Sequence, residues 1–191
     1  YHVSFDEVRP LMGYKKTLAV QKVLELKNAT VTDELVDKIH SDFVDEMVDH
    51  YQTSPHVKPA ADAEDLMVWL KEKGIRVAMN TGFPRQIAEV IIERFQWIER
   101  NLVDELIASD EVEQGRPYPF MIERLMESGG ITDASEVVKV GDTEVDINEG
   151  RNAKCGIVVA ITSGAFTRDQ LERYYPDHII DNLKELQNII R

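Results

Sequence analysis

The sequence predicts an α/β protein with a parallel sheet, preceded by a purely helical region. Three observations lead there. Residues 1–60 carry helical periodicity and no β-type alternation. From residue 61 onward, short apolar runs alternate with amphipathic stretches of roughly 10–15 residues, the rhythm of βαβ units. Thr53–Ala60, with two prolines, separates the two regions as a linker.

In the first region Ser4 is an N-cap with Glu7 at capping-box spacing. Thr17–Leu26 places Leu18, Val23, Leu24 and Leu26 at roughly helical period. Thr32 or Asp33 caps the next helix, where Leu35, Val36, Ile39, Phe43, Met47 and Tyr51 form one apolar stripe. In the second region Ala63–Lys73 is an amphipathic helix that Gly74 ends. Ile75–Met79 is a strand running into Asn80-Thr81-Gly82, and Pro84–Phe95 is helical. Leu106–Ser109 is a strand, and Tyr118–Glu127 a helix ending at Gly129-Gly130. Val137–Val140 (strand), Val145–Ala153 (helix) and Ile157–Ile161 (strand) follow. Arg168–Tyr174 and Leu183–Ile190 are the last helices, with the strand His178–Ile180 between them. Such units connect right-handedly, and ligands bind at the carboxyl ends of the strands.

At 191 residues the chain holds one sizeable domain, or a core domain with an appendage. A net charge of −13 argues against nucleic-acid binding, which needs clustered Lys and Arg. A single cysteine, Cys155, excludes an internal disulfide and a cysteine-rich metal site, and fits a reducing, cytoplasmic setting. No apolar run approaches the roughly 20 residues of a membrane span, and no signal-peptide pattern is present. The first residue is Tyr1 and not Met, which predicts a trimmed or partial chain.

Three segments carry chemistry. In Val138-Lys139-Val140-Gly141-Asp142-Thr143-Glu144-Val145-Asp146, a strand ends at a glycine and two aspartates follow at the start of a helix. Two hard oxygen ligands aimed at one point suit Mg²⁺, which relies on one or two carboxylates and several waters. The bland alternative is that Asp142 caps the helix and Asp146 is solvated. In Val77-Ala78-Met79-Asn80-Thr81-Gly82, the Thr81 hydroxyl and nearby N–H groups can bind a phosphoryl oxygen, with Gly82 admitting close approach; a simple strand-to-helix turn is the alternative. In Gln114-Gly115-Arg116-Pro117-Tyr118-Pro119, Arg116 precedes a helix and can neutralise a phosphoryl group and a carboxylate, or be a surface arginine in a turn.

Taken in order, these segments resemble motifs two, three and four of the haloacid dehalogenase superfamily, from Asp62 to the C-terminus. GDTEVDINEGRNAKCG is similar to the family's GDTxxDIxxGxNAG, and TGF-P and GRPYP resemble the phosphonatase-like and phosphoglycolate-phosphatase-like branches. The resemblance implies a Rossmann-like (HAD-like) α/β core over residues 61–191 and an N-terminal α-helical cap domain over residues 1–60. It implies that Thr81 and Gly82 bind the phosphoryl group and that Arg116 stabilises the nucleophile and its phospho-intermediate. Asp142 becomes a metal ligand, and Asp146 binds Mg²⁺ directly or through water, or orients Arg116. Where the family has NAG, this chain has Asn152-Ala153-Lys154, which loosens the turn before the next strand.

The family's first motif, DxxGT at the end of the central strand, has no counterpart here, so the nucleophilic aspartate is expected upstream of Tyr1 and this chain by itself to be inactive. Within Arg9-Pro10-Leu11-Met12-Gly13-Tyr14-Lys15-Lys16, Lys16 is the best match, and Lys15 the second, to the cap lysine that forms a Schiff base in phosphonoacetaldehyde hydrolases. A fixed charge that binds substrate is the simpler reading of Lys16. His40, His50, His56 and His178 are scattered without ligand spacing, Trp69 and Trp97 read as helix-face packing, and Cys155 as a buried hydrophobe. The expectation is a cytoplasmic, monomeric or homodimeric Mg²⁺-dependent hydrolase of a small phosphorylated metabolite. Three rivals stay open: a carbon–phosphorus hydrolase using Lys16, a metal-free dehalogenase, and a non-catalytic cap-and-core remnant.

Overall fold

The computed structural model describes residues 2–190. Helix α1 (Phe5–Val8) begins with the capping box that the sequence predicts: the Glu7 carboxylate accepts from the Ser4 N–H at 2.8 Å. Glu7 also takes Lys27 Nζ at 2.6 Å, tying α1 to the end of α2 (Lys16–Leu26). That bond, then Ser4's donors, lowers the Glu7 pKa to about 2. Thr32 accepts from the Leu35 N–H and starts α3 (Asp33–Thr53), which packs on α2 and on α5 (Arg85–Phe95). Of the predicted stripe only Val36 is buried, joined by Val44; the other stripe residues are partly covered. Arg94 of α5 donates to the carbonyls of Tyr51 and Ser54 and so holds the end of α3.

Helix α4 (Ala63–Glu72) leads toward β1 (Ala78–Thr81), which starts three residues later than its apolar run suggests. Just before the strand Val77 exchanges bonds with Asp104, giving its N–H to the carboxylate and its carbonyl to the Asp104 N–H, both at 2.8 Å. β1 pairs in parallel with β2 (Glu105–Ala108), Ala78 opposite Glu105. Helix α6 (Phe120–Gly129) follows, then β3 (Val138–Gly141), α7 (Glu144–Asn152), β4 (Ile157–Ile161), α8 (Arg168–Glu172) and β5 (His178–Ile180). The predicted last helix divides into a 3-10 turn, Leu183–Glu185, and α9 (Leu186–Ile189).

The strands are all parallel, but they form two pieces. β1–β2 is one, β3–β4–β5 the other, and no backbone ladder joins β1 to β3 among the described residues. Each piece has its own core. Met67, Ile92, Trp97, Val103 and Ala108 pack around β1–β2, while Ile147, Val158, Ala160 and Leu171 pack around β4. β4 reads IVVAI without a polar interruption because both of its faces are covered. Each such side chain contributes on the order of 1.5–3 kcal/mol on burial. Between the two pieces lies a cleft of about 310 Å³, with Ala78, Met79, Asn80, Thr81, Arg116 and Val140 in its walls. No helix among the described residues is long and apolar enough to cross a membrane.

Candidate active site between β1 and β3

The carboxyl ends of β1 and β3 face this cleft and carry the sequence-predicted residues. Gly141 ends β3 because Asp146 folds back over it: a Cβ at Gly141 would stand 2.2 Å from the Asp146 Cβ. Thr143, not Asp142, is the N-cap of α7. Its N–H and hydroxyl both donate to Asp146 Oδ2, at 3.2 and 2.6 Å, closing a capping box. Asp146 is therefore 2% exposed and not solvated, which removes the bland reading of this segment. Asp142 sits just beyond the strand, where its Oδ2 accepts from the Ala165 N–H at 2.6 Å and anchors the loop after β4. Its Oδ1 is unclaimed among the described residues.

Arg116, whose side chain is 10% exposed, reaches into the cleft from the loop before α6. Nη1 pairs with Asp146 Oδ1 at 2.9 Å, and Nη2 donates to the Asn80 carbonyl and Oδ1 at 2.6 and 2.7 Å. Burial works against the charged forms of Asp146 and Arg116 and is the largest single influence on each, but their several opposite charges together outweigh it. The Arg116 charge, then Lys139, holds the Asp146 carboxyl well below the usual carboxylate range. Asp146, Glu149 and Asp142 together raise Arg116.

Thr81 Oγ1 accepts from the Phe83 N–H at 3.1 Å, so its own hydrogen remains for a ligand. Gly82 touches the N-terminal helical region: a Cβ there would lie 2.5 Å from the Gly13 carbonyl and 2.6 Å from that of Tyr14. Ser109 fixes this loop by donating to the carbonyls of Gly82 and Phe83. Lys16, the first residue of α2, places Nζ 5.1 Å from the Phe83 ring centroid. Burial, then the Arg116 charge, lowers its pKa to about 8. Thr81, Gly82, Arg116, Asp142, Asp146 and Lys16, drawn from four separate segments, thus surround one region.

Sequence reasoning missed Lys139 and Glu149, which are 6% and 0% exposed and connect Arg116 to Asn80. Their signal was a lysine inside an apolar strand, and a glutamate three residues after Asp146 on one helix face. Trp97 lies just past α5 instead of on its face, buried, with Nε1 donating to Glu64 at 2.7 Å. Lys154 takes φ +60° where the family motif has glycine. Cys155 is buried and its thiol is pushed up to about 11, mainly by burial, which suits packing and not nucleophilic attack.

The sequence model of one family, described as haloacid dehalogenase-like hydrolase, matches residues 2–160. The chain belongs to that family. A phosphonoacetaldehyde hydrolase of Bacillus cereus is 22% identical over 197 residues, covering 97% of this chain and 74% of the relative. One from Aliivibrio salmonicida is 25% identical over 223 residues, covering 100% and 81%. Among solved structures, a phosphonoacetaldehyde hydrolase-like protein from Oleispira antarctica aligns with TM-score 0.81 and 19% identity, covering 100% of this chain and 79% of that one. A predicted phosphoglycolate phosphatase from Haemophilus somnus aligns with TM-score 0.82 and 18% identity, covering 100% and 84%. These structures share the haloacid dehalogenase-like fold with this chain. As a family member, it is a haloacid dehalogenase-like hydrolase.

Proposed function

We propose that the protein is a Mg²⁺-dependent phosphohydrolase acting on a small phosphorylated metabolite through a phospho-aspartate. Residues 1–60 serve as its cap and residues 61–191 as its catalytic core. One observation carries this reading: Arg116, which walls the cleft together with Thr81, is locked between Asp146 and the Asn80 carbonyl, close enough to Asp142 to feel its charge. Among the described residues Asp142 is the carboxylate that could hold Mg²⁺, because one of its oxygens is free, whereas both Asp146 oxygens are engaged by Thr143, Arg116 and Lys139, so Asp146 would act mainly by orienting Arg116. When bound, Mg²⁺ would offset phosphoryl charge and lower the barrier to displacement.

The chain's own groups do the rest. The Thr81 hydroxyl donates to a phosphoryl oxygen, and Gly82 lets the backbone come close. The Arg116 guanidinium neutralises charge on the equatorial oxygens. The attacking aspartate would come from outside these residues, which carry no match to the family's first motif, and would have to meet Arg116. Its oxygen forms the bond to phosphorus as the leaving alkoxide departs, and water then cleaves the acyl phosphate.

The lowered pKa of Lys16 supports a second reading. With a pKa of about 8, roughly a tenth of the lysine is neutral at pH 7, enough to attack an aldehyde and release water as an imine forms. The substrate would then be a phosphono-aldehyde, the class the Bacillus and Aliivibrio relatives are named for. Incubating the full-length protein with phosphonoacetaldehyde and borohydride distinguishes the two. A covalent adduct on Lys16, lost in Lys16→Arg, supports the carbon–phosphorus reading; no adduct with sustained p-nitrophenyl phosphate turnover supports the phosphomonoester reading. Activity that survives EDTA would contradict both and favour a dehalogenase.

A further inference from the structure

Behind Arg116 lies a closed set of charges that substrate binding does not require. Lys139 Nζ donates to Glu149 Oε2 at 2.6 Å and to Asn80 Oδ1 at 2.9 Å, and lies 3.2 Å from Asp146 Oδ1. Glu149 Oε1 accepts from Asn80 Nδ2 at 2.8 Å, and its Oε2 lies 3.2 Å from Arg116 Nε. Two cations, Arg116 and Lys139, thus face two carboxylates, Asp146 and Glu149, and the group is neutral as a whole. Asn80 sits at its centre in one orientation only: its oxygen receives the two cations and its nitrogen serves the carboxylate.

The arrangement has structural support behind it. Gly150 lets α7 press onto β3 and β4, since a Cβ there would stand 2.9 Å from Val158 Cγ2 and 3.0 Å from Lys139 Cβ. That approach brings Glu149 to Lys139. The buried Arg116 Nε lies 3.2 Å from Glu149 Oε2 without the alignment of a hydrogen bond. Electrostatic attraction, and not a hydrogen bond, fixes that side of the guanidinium. The same set joins the two sheet pieces, with Asn80 on β1, Lys139 on β3 and Glu149 on α7.

We propose that Lys139, Glu149 and Asn80 are positioning residues that clamp Arg116 in one rotamer, so that its guanidinium meets the reacting phosphoryl group already oriented. The catalytic half of this statement rests on the phosphohydrolase reading; the clamp itself does not. Buried ion groups of this kind contribute orientation more reliably than stability. A misplacement of about 1 Å costs on the order of 10²-fold in rate.

The test uses the ¹⁵N-labelled full-length protein with Mg²⁺. Hindered rotation of a clamped guanidinium gives separate Nη signals for Arg116 in the wild type, and Glu149→Gln should merge them. In turnover of p-nitrophenyl phosphate, Glu149→Gln should lower kcat on the order of 10²-fold with KM changed less than threefold. Placed on an Arg116→Ala background, it should lower kcat no further. Should Glu149→Gln not fold, Asn80→Ala, which keeps all four charges, carries the same expectations. Separate signals that persist in the variant, or an equal loss of kcat on the Arg116→Ala background, would overturn the clamp. Merged signals in a protein without any phosphatase turnover would support the clamp and refute the phosphohydrolase reading.

Discussion

Among residues 4–60 only Leu24, Val36 and Val44 are fully buried, whereas the α/β region also buries Ser109, Lys139, Thr143, Asp146 and Glu149 among its apolar side chains. The helical region is held by a thin apolar seam and by close backbone contacts at Gly13, Gly82 and Gly115. The α/β region instead carries charge inside it, and burial of charge is tolerated only where every partner is in place. The difference assigns different work to each. A region with few buried contacts opens at low cost, which suits the cap role proposed for it. A region whose interior is a dense ionic network holds its buried side chains still.

The comparison can be broken in several ways. The largest effect is expected in the ionic network: Arg116→Ala should lower kcat for p-nitrophenyl phosphate on the order of 10²–10³-fold, measured by steady-state kinetics. Ile147→Ala, at a site with no exposure, should destabilise the fold by about 2–5 kcal/mol in denaturant unfolding. Leu24→Ala should remove less than Ile147→Ala, because it unseats only the helical region; an equal loss would mean that the two regions unfold as one. Gly82→Ala forces a methyl against the Gly13 and Tyr14 carbonyls. It should cost about 1–3 kcal/mol of cap docking and appear as a raised KM.

The smallest effect concerns pH. Lys16 has a folded pKa of about 8 against an ordinary value of 10.5, so between those values the unfolded chain binds more protons than the folded one. Stability contributed by this site therefore rises as pH increases from about 8 to 10.5, and is absent below that window. Lys16→Met should flatten that rise in thermal melts compared across the same range. An unchanged slope would show that Lys16 is solvated.

Most element types were legible in the sequence because their apolar periods and caps are local. The Ser4–Glu7 box and the Thr32 cap are examples. What the sequence concealed came from distant partners. β1 starts late, and Val77 just before it is bonded to Asp104, 27 residues away. The single sheet expected from the βαβ rhythm is two pieces, since strand adjacency is a property of the whole chain. In the candidate site, Asp142, Arg116 and Thr81 stood out as residues at strand ends and in a glycine-proline loop. Lys139, Asn80 and Glu149 did not, because a polar or charged residue in a strand or helix reads as solvent-facing until its partners are placed beside it.

The account turns on Asp142 at the end of β3. Phosphate release from p-nitrophenyl phosphate, followed while Mg²⁺ is titrated into the full-length wild type and Asp142→Ala, tests it most directly. The account predicts saturable Mg²⁺ activation in the wild type and none in the variant, both remaining folded. Wild-type activation in Asp142→Ala would contradict it.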